Sequence, residues 1–162
     1  MVDVIDEPWS DLVSLRRRGA GPPLVLGVAS VILGGLVAAV TTPMGWQHGA
    51  WAAAYLVLVT GVAQIGLGLG QAMLAMTPPS PTLVVVQVSG WNLGSAAVIL
   101  GTLAAAPAVV SVGGVLLVAC LGLLVFGVRG GRAGWLLWTY RGLVLLLLVS
   151  IPVGLVLSWL RS

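Results

Sequence analysis

Residues 50–105 read AWAAAYLVLVTGVAQIGLGLGQAMLAMTPPSPTLVVVQVSGWNLGSAAVILGTLAA. Two apolar runs, at about 50–76 and 83–105, flank Thr77-Pro78-Pro79-Ser80-Pro81, a stretch that cannot continue a helix. Each run meets the length of about 20 residues needed to cross a hydrocarbon core, and neither contains Asp, Glu, Lys or Arg. A membrane-embedded helical hairpin is the expected structure, and the rest of the chain reads the same way.

Before the hairpin, residues 24–41 form an apolar span bounded by Pro22-Pro23 and by Thr41-Thr42-Pro43. After it, Pro107 opens a span at 108–128, Arg129-Gly130-Gly131-Arg132 forms the last polar loop, and a fifth span covers 135–160. Within that span Pro152 predicts a kink, because a proline releases the carbonyl four residues earlier. The fold class expected is an all-α integral membrane protein, a five-transmembrane-helix bundle with a short amphipathic N-terminal helix. Residues 1–21 form a cytoplasmic N-terminal segment and 22–162 the five-helix domain. In the first segment Trp9, Leu12 and Val13 share one face of a helix from Pro8 to Arg18. Its acids lie at the start and its arginines at the end, which suits the helix dipole and an interfacial anchor.

Composition agrees. Of 162 residues, 59% are hydrophobic and 7% charged, with mean hydropathy +1.14; a soluble domain carries about 25% charged residues. Disorder is excluded by the hydrophobicity, and a disulfide scaffold by the single cysteine, Cys120. All four acids (Asp3, Asp6, Glu7, Asp11) fall in the first eleven residues, and every one of the seven cations is an arginine. A lysine-free chain rich in Ala, Gly, Val and Leu suggests a bacterial genome of high GC content, hence the cytoplasmic membrane.

The arginines flank apolar spans and form no basic face, so nucleic acid is not an expected partner. With the amino terminus inside, Arg16, Arg17, Arg18, Arg129, Arg132 and Arg141 are cytoplasmic and Arg161 is outside, as the positive-inside rule requires. The carboxyl terminus is then extracytoplasmic. Acids before the first span and the length of that span favour an uncleaved helix over a signal peptide.

Hydrogen-bonding residues concentrate in the hairpin, at Thr60, Gln64 and Gln71 on one arm and Gln87, Ser89, Asn92 and Ser95 on the other. About the Pro-rich turn, Gln71 falls level with Gln87 and Gln64 with Asn92. Gly66, Gly68 and Gly70 then face Ser89, Gly90 and Trp91. Gly66-x-x-x-Gly70 and Gly90-x-x-x-Gly94 are the patterns that allow close helix approach. The cluster Gln64, Gln71, Gln87 and Asn92 reads either as interhelical glue or as the lining of a polar cavity.

His48, the only histidine, stands in Gly45-Trp46-Gln47-His48-Gly49-Ala50-Trp51. An imidazole there can remain solvated or serve as an axial ligand. His48, Trp46, Trp51 and Trp91 are the candidate cofactor-binding set; no cofactor is predicted outright, and haem or porphyrin is the candidate. Arg132 and Arg141 are candidates for a lipid phosphate. No catalytic set, metal cluster or phosphate loop is legible, and the spans lack the carboxylates of a proton relay.

Two likenesses follow from these residues. Pro43-Met44-Gly45-Trp46, Trp51 and Tyr55, with the size and five spans, resemble the translocator-protein family of five-helix membrane dimers, which implies porphyrin or sterol-like ligands. Here the Trp46-to-Trp51 interval is shorter and Ala50 replaces the proline before the second tryptophan. Over about 48–129, a histidine heading one span, Trp91-Asn92-Leu93-Gly94 in the next and Gly113-Gly114 with Phe126 in a third are similar to small membrane proteins related to the haem–copper oxidase catalytic subunit. That family uses several histidines, and this chain has one.

The function expected is a non-enzymatic membrane protein, an accessory or structural subunit that self-associates or packs against a larger membrane complex. Its partners are then membrane lipids and a second copy or another membrane protein. A haem-, porphyrin- or lipid-binding protein is the alternative, and a transporter subunit the third.

Overall fold

Proline, serine and two left-handed residues set the helix boundaries. The computed structural model describes the backbone of residues 7–129 and 134–160, and the side chains of Ser14, 19–129 and 134–151. The side chains of Trp9, Leu12, Val13, Arg16, Arg17, Arg18 and Pro152, together with Arg132 and Arg161, lie outside that set. The described chain is 85% helical with no strand. Its five helices are α1 (Glu7–Thr41), α2 (Gly49–Leu74), α3 (Pro81–Leu103), α4 (Pro107–Gly127) and α5 (Trp135–Leu160). From α1 to α4, all are long and apolar enough to cross a membrane, and the described apolar part of α5, Trp135–Ile151, is shorter.

Each boundary has a local cause. Ser80 caps α3, its hydroxyl accepting from the Leu83 amide at 3.2 Å, with Pro81 in the first turn. Proline is tolerated there because its missing N–H would have no helical partner. Helix α4 likewise begins on Pro107. After α3, the Ala106 amide reaches back to the Gly101 carbonyl at 2.8 Å and the Ala105 amide to Thr102 at 3.3 Å. This is a Schellman closure, and it places Ala105 at a φ of 49°. The turn after α1 repeats the pattern through Trp46 to Thr41 and Gly45 to Thr42, with Gly45 at 61°. Glycine takes that conformation without the Cβ clash that alanine meets.

One boundary differs from the sequence expectation. Instead of a separate interfacial helix followed by a span, α1 runs unbroken through Pro22 and Pro23. Pro23 is buried against α2, where a methyl added to Gly68 would stand 2.5 Å from its Cγ. Tertiary packing thus holds in helical form a dipeptide that local propensity would end.

Glycines fix the helix pairs. Against α2, a Cβ at Gly27 would lie 3.0 Å from the Gly61 carbonyl, and one at Gly34 3.0 Å from the Ala53 carbonyl. Between α3 and α4, a Cβ at Gly113 would lie 2.7 Å from the Gly94 carbonyl and 2.9 Å from the Val98 nitrogen. These backbone-to-backbone approaches make α1–α2 and α3–α4 the two most extensive contacts. Helix α5 packs mainly on α4 and on the end of α2, where the Tyr140 ring covers Gly70 and Leu143 covers Gly66. By contrast, α3 meets α2 chiefly along one segment, Leu56–Ala63, which is wound as a π-helix.

The expected hairpin interface therefore does not form as read. Gly66 and Gly70 face α5, and Gly90 and Gly94 face α4, at Cys120 and Gly113 respectively. Trp91, expected opposite Gly66–Gly70, meets Val59 instead, about two turns further along α2. The apolar core lies among α2 to α5, with Leu117, Cys120, Leu121 and Leu124 forming one stripe of α4 at its centre. The many exposed Leu, Val and Ile side chains around it are what a hydrocarbon solvent selects.

Two outcomes are expected in thermal unfolding of detergent-solubilised protein. Gly113→Val forces α3 and α4 apart and costs about 1–3 kcal/mol, whereas Gly122→Val, at a position with nothing within 4 Å, leaves the transition unmoved. Ala105→Gly relieves the left-handed strain and stabilises by about 0.5–1 kcal/mol, net of glycine's greater freedom when unfolded.

Candidate functional site

Most of the short hydroxyl side chains bond back to their own helix, while the buried Thr60 and Ser95 hydroxyls have no partner. Ser30, Thr41, Thr102, Ser111 and Thr139 each donate to the carbonyl four residues earlier, at 2.7–3.0 Å. Asn92 does the same, donating to Val88 at 2.8 Å. It therefore turns away from Gln64, its expected partner across the hairpin. Glutamine side chains reach further, and three of them do something else.

Gln64 and Gln71 are two turns apart on α2, and Gln87 precedes Trp91 by one turn on α3. All four are buried, and all line one crevice between α1, α2, α3 and α4, completed by Gly19, Pro23, Gly68, Val84 and Leu124. The free space in the crevice is small, about 20 Å³ for the centre of a water-sized sphere, which is room for about one water molecule. Neither Gln64 Nε2 nor Oε1 has a hydrogen-bond partner, and the same holds for Nε2 of Gln71 and of Gln87. Gln71 Nε2 packs on Gly127, where a Cβ would come within 2.5 Å of it. Thr60 Oγ1 and the Tyr140 hydroxyl are also buried without a partner.

The cause is the wedge between α2 and α3. Their backbones meet chiefly at the π segment, and beyond it the long amides of the Gln64–Leu74 stretch line the space between the helices. Thr60 belongs to the π segment, whose hydrogen bonds run to the fifth residue back, so the carbonyl that satisfies other threonines is displaced from it. Trp91 donates its indole N–H to the Val59 carbonyl at 3.3 Å, linking α3 to that same segment. A buried amide left without a partner costs about 1–3 kcal/mol by mutational measures. Three of them on one cavity mark a place kept polar against that cost. Among the described side chains that line the crevice, none is ionisable.

The expected cofactor set is not brought together. His48 is exposed at the start of α2, beside an open hollow lined by Val40, Met44, Gly45, Trp46 and Gln47. Trp51 stacks on Tyr55, ring centroids 5.5 Å apart. Trp91 is bonded to Val59, roughly 16 Å further along α2 from His48 at 1.5 Å per residue. A haem or porphyrin held by these four residues does not fit: the imidazole is unsheltered, and Trp91 belongs to the crevice. Among the described residues no three His, Cys, Asp or Glu side chains lie close enough to hold a metal ion.

Of the lipid-phosphate pair, Arg132 is outside the described residues and Arg141 is exposed, its guanidinium 5.8 Å from the Trp138 ring centre. Arg129, not singled out from sequence, lies 4.8 Å over Phe126. Both are placed as an interfacial belt would place them.

Pro23, Gly68 and the π segment were not legible as site elements. The double proline offered a signal, since a proline kept inside a helix needs a tertiary seat. No protein-family model, curated protein or solved structure matches this chain, so the two likenesses rest on their short motifs.

In detergent-purified protein freed of bound molecules, Gln64→Leu separates glue from lining. Because both amide atoms lack partners, the substitution is expected to raise the unfolding temperature, by an amount corresponding to about 1 kcal/mol or more. A fall of similar size would mean that the amide bonds across the interface.

Proposed function

We propose that this chain is a non-enzymatic integral membrane protein of the accessory kind, working by binding a small molecule, or one end of a lipid, through an uncharged polar group held in the amide-lined crevice. The observation that carries this reading is the convergence of three buried, unpartnered glutamine amides on one cavity. Interhelical glue would bond amide to amide, and these do not. The amide nitrogens offer donors and Gln64 Oε1 an acceptor, which suits a hydroxyl, an ester or another amide.

Self-association, or packing on a larger membrane complex, belongs to the same proposal. Gly35 and Gly142 meet nothing within 4 Å, so small-residue positions on α1 and α5 remain free for a neighbouring helix. The arginine distribution supports a cytoplasmic membrane with the amino terminus inside. The crevice, at the end of the bundle carrying Pro79, then opens towards the cytoplasmic half.

Native mass spectrometry of protein extracted gently from its host membrane tests both parts. A reproducible added mass, retained in His48→Ala and lost in a Gln71→Leu/Gln87→Leu double variant, is the expected result. A bare chain, or an added mass that depends on His48 and not on the glutamines, would overturn the crevice reading.

A further inference from the structure

Polar positions on α2 and α3 do not stop at the crevice. On α3, Gln87, Trp91 and Ser95 recur every fourth residue and form one ridge. On α2, Thr60 follows Gln64 towards the His48 end. Thr60 and Ser95 are both buried, and Tyr55 approaches Ser95. From Gln71 to Tyr55 this polar seam extends about 24 Å at the helical rise, most of a hydrocarbon core about 30 Å thick.

Trp91 interrupts it. Its indole crosses from α3 to α2 between the crevice and the Thr60–Ser95 level, held by one hydrogen bond of 3.3 Å to Val59. That carbonyl lies within a π segment, a local winding often associated with functional sites. On either side are the two tightest helix pairs, α1–α2 and α3–α4, locked by glycine contacts. Rotation of the Trp91 indole, or a small shift of one pair on the other, would join the two polar halves without breaking either pair. The described side chains of the seam carry no charge, which selects against ions.

We propose that the α2–α3 seam is a gated path for small uncharged solutes that donate and accept hydrogen bonds, with Trp91 as the gate, closed in this structure. The proposal rests on the crevice being a binding site and adds transit through it.

The test is urea permeation into vesicles of phosphatidylethanolamine and phosphatidylglycerol carrying the full-length protein, read by light scattering. Trp91→Ala is expected to speed entry by about tenfold over Leu93→Ala, a lipid-facing control, with Trp91→Phe, which keeps the ring and loses the N–H, in between. Circular dichroism confirms that each variant is folded, and Trp91→Phe carries the test if the alanine variant is not. Equal rates for the folded variants and protein-free vesicles would overturn the gate. A ligand mass lost in the glutamine double variant, found together with such equal rates, would keep the crevice and remove the path. Fast Trp91→Ala entry without any bound mass would do the reverse.

Discussion

Hydrocarbon cannot hydrogen-bond, and nearly everything in this structure answers to that fact. The backbone of the long apolar runs is helical, because a helix satisfies its own amides and carbonyls. Hydroxyls of Ser30, Thr41, Thr102, Ser111 and Thr139 fold back on their own helices, and Asn92 follows them. Against that pattern, Gln64, Gln71 and Gln87 are three amides on one crevice with side-chain nitrogens that have no hydrogen-bond partner, as the Thr60 and Ser95 hydroxyls also have none. Their isolation depends on the divergence of α2 from α3, which in turn depends on where the glycines lie.

In lipid there is no hydrophobic drive between helices, so association relies on close packing and on polar contacts. Gly27 and Gly34 admit α2 to α1, and Gly94 and Gly113 bring α3 and α4 into backbone contact. The bundle is consequently two tight pairs with α5 laid along one side. Between the pairs, α1 and the π segment of α2 both meet α3, the latter through the Trp91 indole, and the Gln64–Leu74 stretch touches α4. The crevice is what remains where the pairs part.

The five apolar segments and their approximate limits were legible, because a run of apolar residues closed by proline or arginine has few alternatives; the fusion of the N-terminal helix with the first of them was not. Pro107 marked a helix start to the residue, whereas α3 begins at Pro81, two residues before the expected 83. The register of α2 on α3 was not legible. Counting outward from a turn assumes a tight hairpin, while here Thr77–Ser80 and the π segment both absorb residues. Partner choice was hidden for a related reason: a Gly-x-x-x-Gly pattern announces a close approach without naming the other helix, and Gly66–Gly70 went to Tyr140 and Leu143. Gln71 and Gln87 share a cavity as their depth suggested. Asn92 is one methylene shorter than glutamine, which keeps it on its own helix at Val88.

The central claim is that the crevice amides face an occupant and not one another. Solid-state NMR on protein with ¹⁵N-labelled glutamine side chains, in hydrated bilayers, reads this directly. The account predicts contacts from the Nε2 protons of Gln64, Gln71 and Gln87 to water or to a bound non-protein molecule. Contacts among the three amides themselves, with no transfer from water or ligand, would contradict it and return the cluster to the role of interhelical glue.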